Sequence, residues 1–178
     1  MHLVGIIGKK GSGKSECSKI LCEKYSFQRT SFADKLKQTV SDLFDIPLNF
    51  LYDPKLKETY DNRWGKTYRE IMQLFGTEVG RCIYNDIWVY HVEKHLLQNP
   101  DLSFVIDDVR FKNEAVLIKK LNGLLIKVVR PSNDIQKDFH KSETEQDEIE
   151  VDITILNNSS KEDLYNTVNQ VYLEFCNK

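Results

Sequence analysis

Arginine is scarce in this sequence, six residues against nineteen lysines. Each guanidinium is therefore worth locating, because its planar fork suits bidentate contact with phosphate. Cysteine is sparse too: Cys17, Cys22, Cys82 and Cys176 show no CxxC spacing. That excludes a disulfide-dense secreted scaffold and predicts reduced thiols packed in a core, in the cytoplasm. No apolar run approaches the roughly 18 to 20 residues of a membrane span. The opening "MHLVGIIG" lacks a basic segment and a cleavage site, so it reads as a first strand and not as a signal peptide. Net charge is only −2, which gives no basic field for a nucleic-acid polymer. His91 and His95 have HxxxH spacing, but Val92 stands where HExxH has glutamate and no third ligand is evident, so a zinc site is not expected.

What is present fits one domain with a sizeable core: 178 residues, 40% hydrophobic and 29% charged. Short β-branched or apolar runs read as strands at 2–7, "FQRTSF", 102–107, 124–129 and "VDITIL". Helical patterns separate them at about 14–25, 33–44, 67–82, 84–98, 112–121 and from Ser160 onward. On the helix over 33–44, Leu36, Val40, Leu43 and Phe44 share one face. Residues 45–66 read as a loop or short helical excursion. The polar stretch 131–148 reads as a lid. Alternating strands and helices predict an α/β fold, a five-stranded, mostly parallel sheet with helices on both faces. The core would comprise about 1–44 and 100–178, with a helical acceptor-binding insertion at about 45–99.

The chemistry begins at "GKKGSGKS", Gly8 to Ser15, which satisfies GxxxxGK[ST] with a strand before it and a helix after it. Gly11 and Gly13 let backbone N–H groups converge on an anion, and the helix aims its positive end at the same place. Residues Lys10, Gly11, Ser12, Gly13, Lys14 and Ser15 are thus candidate ATP ligands. Lys14 would reach the β- and γ-phosphates, and Ser15 would offer its hydroxyl to Mg²⁺. No NKxD guanine reader is evident, and the short chain suits a small-molecule kinase of P-loop NTPase fold.

The remaining motifs describe the acceptor. In "SFADKLK", at the carboxyl edge of the second strand, Lys37 would meet an acceptor phosphate. Asp34 would bind an acceptor hydroxyl or a metal-bound water, or else cap its helix. In "TYREIMQLFGTEVGR", Ile71, Leu74, Phe75, Val79 and Cys82 form an apolar stripe. Arg69, Gln73, Thr77 and Arg81 recur every four residues on a polar one. Gly76 and Gly80, poor helix residues, point to close ligand approach or a helix break. "FVIDDVRF" resembles a Walker-B strand: Asp107 or Asp108, with Asp108 preferred, would orient hydrated Mg²⁺, and Arg110 would bridge the transferring phosphoryl.

These blocks in this order, "GKKGSGKSE", "FADKLK", "YREIMQLFGTEVGR", "DDVRFKNEA", "VVRP", "HKSE" and "ILNNSS", resemble the phage-type deoxynucleoside monophosphate kinases of the P-loop nucleoside/nucleotide kinase group. The resemblance runs nearly end to end. It implies transfer of the ATP γ-phosphate to a deoxynucleoside 5′-monophosphate, with Mg²⁺ and ATP required. Lys37, Arg69, Gln73 and Arg81 would then hold the acceptor's phosphate and base, and Trp88 would wall the base or pack in the core. Arg130 belongs with the lid segment containing His140, Ser142 and Glu143, and Asn157 would lie beside the adenine or at a turn. The resemblance also implies small-molecule partners, no membrane, a homodimer in some members, and the host cytoplasm for a phage- or virus-encoded chain. Phosphomevalonate and dephospho-coenzyme A kinases share parts of the layout, and a nucleotide-sensing module without turnover is the alternative outside catalysis.

Overall fold

A computed structural model of the chain describes residues 2–131 and 145–177. Its elements run β1 (Leu3–Ile7), α1 (Lys14–Tyr25), β2 (Gln28–Thr30), α2 (Ala33–Phe44), α3 (Leu48–Tyr52), β3 (Tyr60–Asp61), β4 (Lys66–Thr67) and α4 (Tyr68–Leu74). A π-helical stretch (Phe75–Arg81) follows, then α5 (Ile87–Leu97), β5 (Phe104–Ile106), α6 (Lys112–Lys120), β6 (Leu124–Val129), β7 (Ile153–Leu156) and α7 (Lys161–Cys176). The lid expected at 131–148 lies largely outside the described residues. The chain divides into two compact units, Met1–Ser31 with His95–Lys178, and Phe32–Lys94.

The first unit holds a five-stranded sheet in the order β2-β5-β1-β6-β7, with every pairing parallel. Parallel strands are covered on both faces, which is why all five residues of β1 are buried. Successive side chains alternate between the faces. Val4 and Ile6 join Val105, Ile126 and Val128 in one cluster with Cys17, Ile20 and Leu21 of α1 and Leu164, Val168 and Val171 of α7. Gly5 points the other way, toward Ile118 of α6. Helices therefore cover both faces, as the sequence predicts.

Local chemistry fixes the helix starts. Ser160 Oγ accepts the Asp163 N–H at 3.1 Å, closing the capping box expected there. Hydrogen bonds from the Ser159 and Ser160 hydroxyls hold the Asp163 carboxyl below its ordinary range. At α6, the buried Glu114 carboxylate accepts the N–H groups of Arg110 at 2.7 Å and Phe111 at 3.1 Å. It satisfies donors that a helix start would otherwise leave open.

The second unit has its own core of Val40, Ile46, Leu51, Tyr68 and Ile71, flanked by Leu36, Phe44, Phe50, Met72 and Phe75. Helix α2 packs here, so this unit begins at Phe32 and not near residue 45 as expected. Leu43 is 59% exposed: the apolar face of α2 is centred on Val40, and Leu43 falls at its margin. The segment 45–66 contains α3 and also an antiparallel hairpin of β3 and β4. With two residues per strand, that hairpin offers no alternation to read. Its turn is closed by Asp61, which accepts the Arg63 N–H at 2.9 Å and pairs with its guanidinium at 2.7 Å.

The pattern over 67–82 is not one α-helix. Thr67 and Glu70 cap α4 reciprocally, and from Phe75 the backbone widens into π geometry, with i→i+5 hydrogen bonding. The widened turn shifts the phase, so Val79 is 43% exposed and Cys82 lies at the surface, off the expected apolar stripe. Cys176 is also exposed, so two of the four thiols are not core residues. Gly76 and Gly80 serve packing. A Cβ on Gly80 would stand 2.6 Å from Cζ2 of Trp88, and the Trp88 indole N–H donates to the Gly76 carbonyl at 2.9 Å.

Candidate active site

In the first unit, β1 ends at Ile7 and the chain turns through the glycine loop into α1. Gly13, at the N-cap, has φ 109°, left-handed backbone that favours glycine. A Cβ there would also meet the Asn157 side-chain amide at 2.4 Å. That amide donates to the Ser12 carbonyl at 2.8 Å. Asn157 thus braces the loop from β7's exit. The Lys14 ammonium donates to the carbonyls of Gly8 and, at 2.8 Å, Lys9. Lys10, Gly11 and Ser15 are exposed. Ser12 Oγ is buried and has no hydrogen-bond partner among the described residues. A pocket of about 230 Å³ adjoins the loop, lined in part by Gly8, Lys9, Ser12, Lys127, Arg130 and Asp147. Burial pushes the Cys17 thiol, on the next turn of α1, up to about 12, so it is not a nucleophile at neutral pH.

The two acids after β5 differ sharply. The Asp107 side chain is 3% exposed; it accepts two hydrogen bonds from Arg29 Nε, both 3.1 Å, and a third from Nη2 at 3.0 Å. Ser18 Oγ on α1 adds another at 3.0 Å. Asp107 therefore ties β2 and α1 to β5. Asp108 is half-buried, and Ser31 Oγ donates to it at 2.7 Å. Arg110 follows at the start of α6, its backbone held by Glu114.

The donor set fits Mg²⁺. This cation keeps several waters and takes one or two carboxylates plus substrate phosphates, where a tighter metal would need a protein cage. Ser15 and Asp108 offer hard oxygen, and no cluster of three or more His, Cys, Asp or Glu side chains occurs among the described residues.

In the second unit, Asp34 and Lys37 lie one turn apart on α2. The helix is capped at Phe32 and Asp34 sits inside its first turn, so Asp34 is not the N-cap. Its Oδ1 accepts the Tyr52 hydroxyl at 2.9 Å, and the Lys37 ammonium stands 3.9 Å from the centre of the Tyr52 ring. Arg69 pairs with Glu58 at 2.6 Å, and its buried Nη2 makes no well-aligned hydrogen bond. Gln73 is half-buried, with its backbone carbonyl accepting the Thr77 hydroxyl at 2.5 Å. Arg81 Nη1 donates to the Asn85 carbonyl at 3.1 Å. Trp88 is 6% exposed, with its N–H engaged on Gly76 and its ring beside Gly80. Arg29, Ser31, Tyr52 and Glu58 went unread in the sequence. An arginine two residues before "SFAD" was the available signal for the first.

A strand, an anion-holding loop and a helix at the carboxyl edge of a parallel sheet define a P-loop protein, and solved structures share the fold. Dephospho-CoA kinase from Campylobacter jejuni superposes with TM-score 0.51 at 16% identity, covering 98% of this chain and 97% of that one. TT1252 from Thermus thermophilus gives 0.53 at 16% identity, covering 97% of both chains. The sequence family Deoxynucleotide monophosphate kinase matches residues 48–168. A protein of Acanthamoeba polyphaga mimivirus, provisionally named a deoxynucleotide monophosphate kinase, is 37% identical over 183 aligned positions, 94% of each chain. Deoxynucleoside-5′-monophosphate kinase of Escherichia phage T5 is 41% identical over 58 residues, 32% of this chain and 23% of the phage protein. The chain belongs to the deoxynucleotide monophosphate kinase family.

Proposed function

We propose that the chain transfers the γ-phosphate of ATP to a deoxynucleoside 5′-monophosphate, giving ADP and the diphosphate. The observation that carries this reading is a P-loop in a chain whose likeness to its viral relative extends over 94% of both proteins.

Phosphoryl transfer asks little covalent work of a protein; positioning and charge stabilisation dominate. The backbone of Lys10 to Ser15 holds the donor phosphates, Lys14 neutralises charge on the transferring group, and Arg110 adds a guanidinium. Asn157 keeps the loop in its anion-binding shape. Arg130 joins the donor side through the pocket it lines with Lys9 and Ser12. Ser15 and Asp108 would hold Mg²⁺, which neutralises developing charge on the phosphates when bound. On the acceptor side, Lys37 and Arg81 take the phosphate and Gln73 meets the base edge. Arg69 exchanges Glu58 for the substrate, and Asp34 binds an acceptor hydroxyl. The homodimer and the cytoplasm belong to the same proposal. Sedimentation tests the first; the second follows from where ATP and reduced thiols are found. No helix among the described residues is long and apolar enough to cross a membrane.

The test is a transfer assay with dAMP, dCMP, dGMP, dTMP and their ribose forms. Diphosphate formed from at least one deoxynucleotide is expected. Hydrolysis of ATP with no diphosphate from any acceptor overturns the proposal.

A further inference from the structure

Resting on the reading that Lys37 meets the acceptor's phosphate, we infer that Tyr52 is the residue that positions the acceptor-binding cation and carboxylate together. Tyr52 is the last residue of α3 and contacts α2 in two ways at once. Its hydroxyl donates to Asp34 Oδ1 at 2.9 Å, and its ring lies 3.9 Å from the Lys37 ammonium. Lysine is a flexible chain with a strongly hydrated head, and ordering it costs rotamer entropy. An aromatic face attracts the ammonium without neutralising it, so this contact orders Lys37 and keeps its charge. The hydroxyl does the complementary task for Asp34: it fixes one oxygen of the carboxylate and keeps that carboxylate from closing onto Lys37. Asp34 and Lys37 are i and i+3 on one helix and would otherwise pair directly. Tyr52 is 43% exposed, so core packing does not account for its place.

The experiment is a double-mutant cycle on the full chain, read as separate KM values for acceptor and ATP. Tyr52→Leu should raise the acceptor KM about two- to five-fold, the worth of an exposed cation–π contact, and leave the ATP KM unchanged. Tyr52→Phe keeps the ring and should recover most of that loss. In a Lys37→Met background, which itself weakens the acceptor, Tyr52→Leu should add little. Equal additive losses in both backgrounds, or an unchanged acceptor KM in Tyr52→Leu while Lys37→Met raises it, overturn this inference alone. If Lys37→Met leaves the acceptor KM unchanged, the assignment of Lys37 to the acceptor falls and takes the inference with it. If Tyr52→Leu unfolds, Tyr52→Phe carries the test: it must keep the Lys37-dependent part of acceptor affinity.

Discussion

Asp107 and Asp108 are adjacent in sequence, and exchanging each for asparagine should separate structure from catalysis. The Asp107 carboxylate is 3% exposed and meets a guanidinium that is 53% exposed. Stripping the partner from a fully buried pair costs about 3–5 kcal/mol, while an exposed pair contributes under about 1 kcal/mol. Arg29 stands between these limits, so Arg29→Ala should destabilise by about 2 kcal/mol, with Ser18 left as a partial partner. In a chain of this size that lowers Tm by about 4–8 °C. Asp107→Asn keeps the shape and the Ser18 contact and should cost less, about 1 kcal/mol. The double variant should be no worse than Arg29→Ala alone, because each change removes the same pairing. Asp108→Asn should leave stability within about 0.5 kcal/mol, since Ser31 can donate equally to an amide oxygen. It should lower transfer roughly tenfold or more at fixed Mg²⁺. Urea unfolding gives the first set, and kcat titrated against Mg²⁺ the second. If Asp107→Asn kept its stability but lost its Mg²⁺ response while Asp108→Asn did neither, the two roles would be reversed and the reasoning refuted.

Lys14→Ala should remove at least about 3 kcal/mol of transition-state stabilisation, read as a fall in kcat of two orders of magnitude or more with folding intact by circular dichroism. Asn157→Ala removes the brace on the Ser12 carbonyl and should raise the ATP KM several-fold while the acceptor KM holds. Gly80→Ala places a methyl against the Trp88 ring; overpacking costs about 1–3 kcal/mol, offset by about 1 kcal/mol of helix propensity, so chemical denaturation should show a net loss of up to about 2 kcal/mol. Asp61, Glu70 and Asp163 are all held below their ordinary values, chiefly by hydrogen bonds from Arg63, from the Thr67 backbone and from the Ser159 hydroxyl. A depressed carboxyl stabilises the fold above its unfolded value and loses that contribution as pH falls through the folded one. Unfolding midpoints should therefore hold near neutrality and drop once pH passes below about 4.

The sheet, the loop and the capping box at Ser160 were legible because each has a local cause: β-branched runs, glycines before a lysine, a serine three residues before an acid. The π-helical stretch was not. Its residues carry a helix-like period, and the Trp88 that packs against it lies eight residues beyond Gly80. Nor was the hairpin of β3 and β4, held mainly by Asp61 and Arg63 at its turn. At the site, the loop was readable because its glycines and lysine sit between a strand and a helix start. The partners of Arg69, Lys37 and Asp107 come from segments 11 to 89 residues away, and no spacing rule reaches that far. Sequence offered Asp107 and Asp108 with Asp108 preferred; burial and the Arg29 contact on Asp107 give a physical difference between them.

The π-helical stretch changes what the polar stripe can do. In a continuous α-helix, Arg69, Gln73, Thr77 and Arg81 would drift slowly around one face, because 3.6 residues make a turn. Widening from Phe75 onward slows the rotation per residue, so Arg81 is turned relative to Gln73 by less than an α-helix would give. Its guanidinium meets the Asn85 carbonyl. Such widening is rare, and a wider turn opens space along the helix that a side chain can fill. Trp88 does so, its ring against Gly80 and its N–H on the Gly76 carbonyl. Trp88 therefore packs against the stretch that carries Arg81. On the proposed role of Arg81, Gly80→Ala should raise the acceptor KM alongside its loss of stability; an acceptor KM that stays unchanged would refute the link.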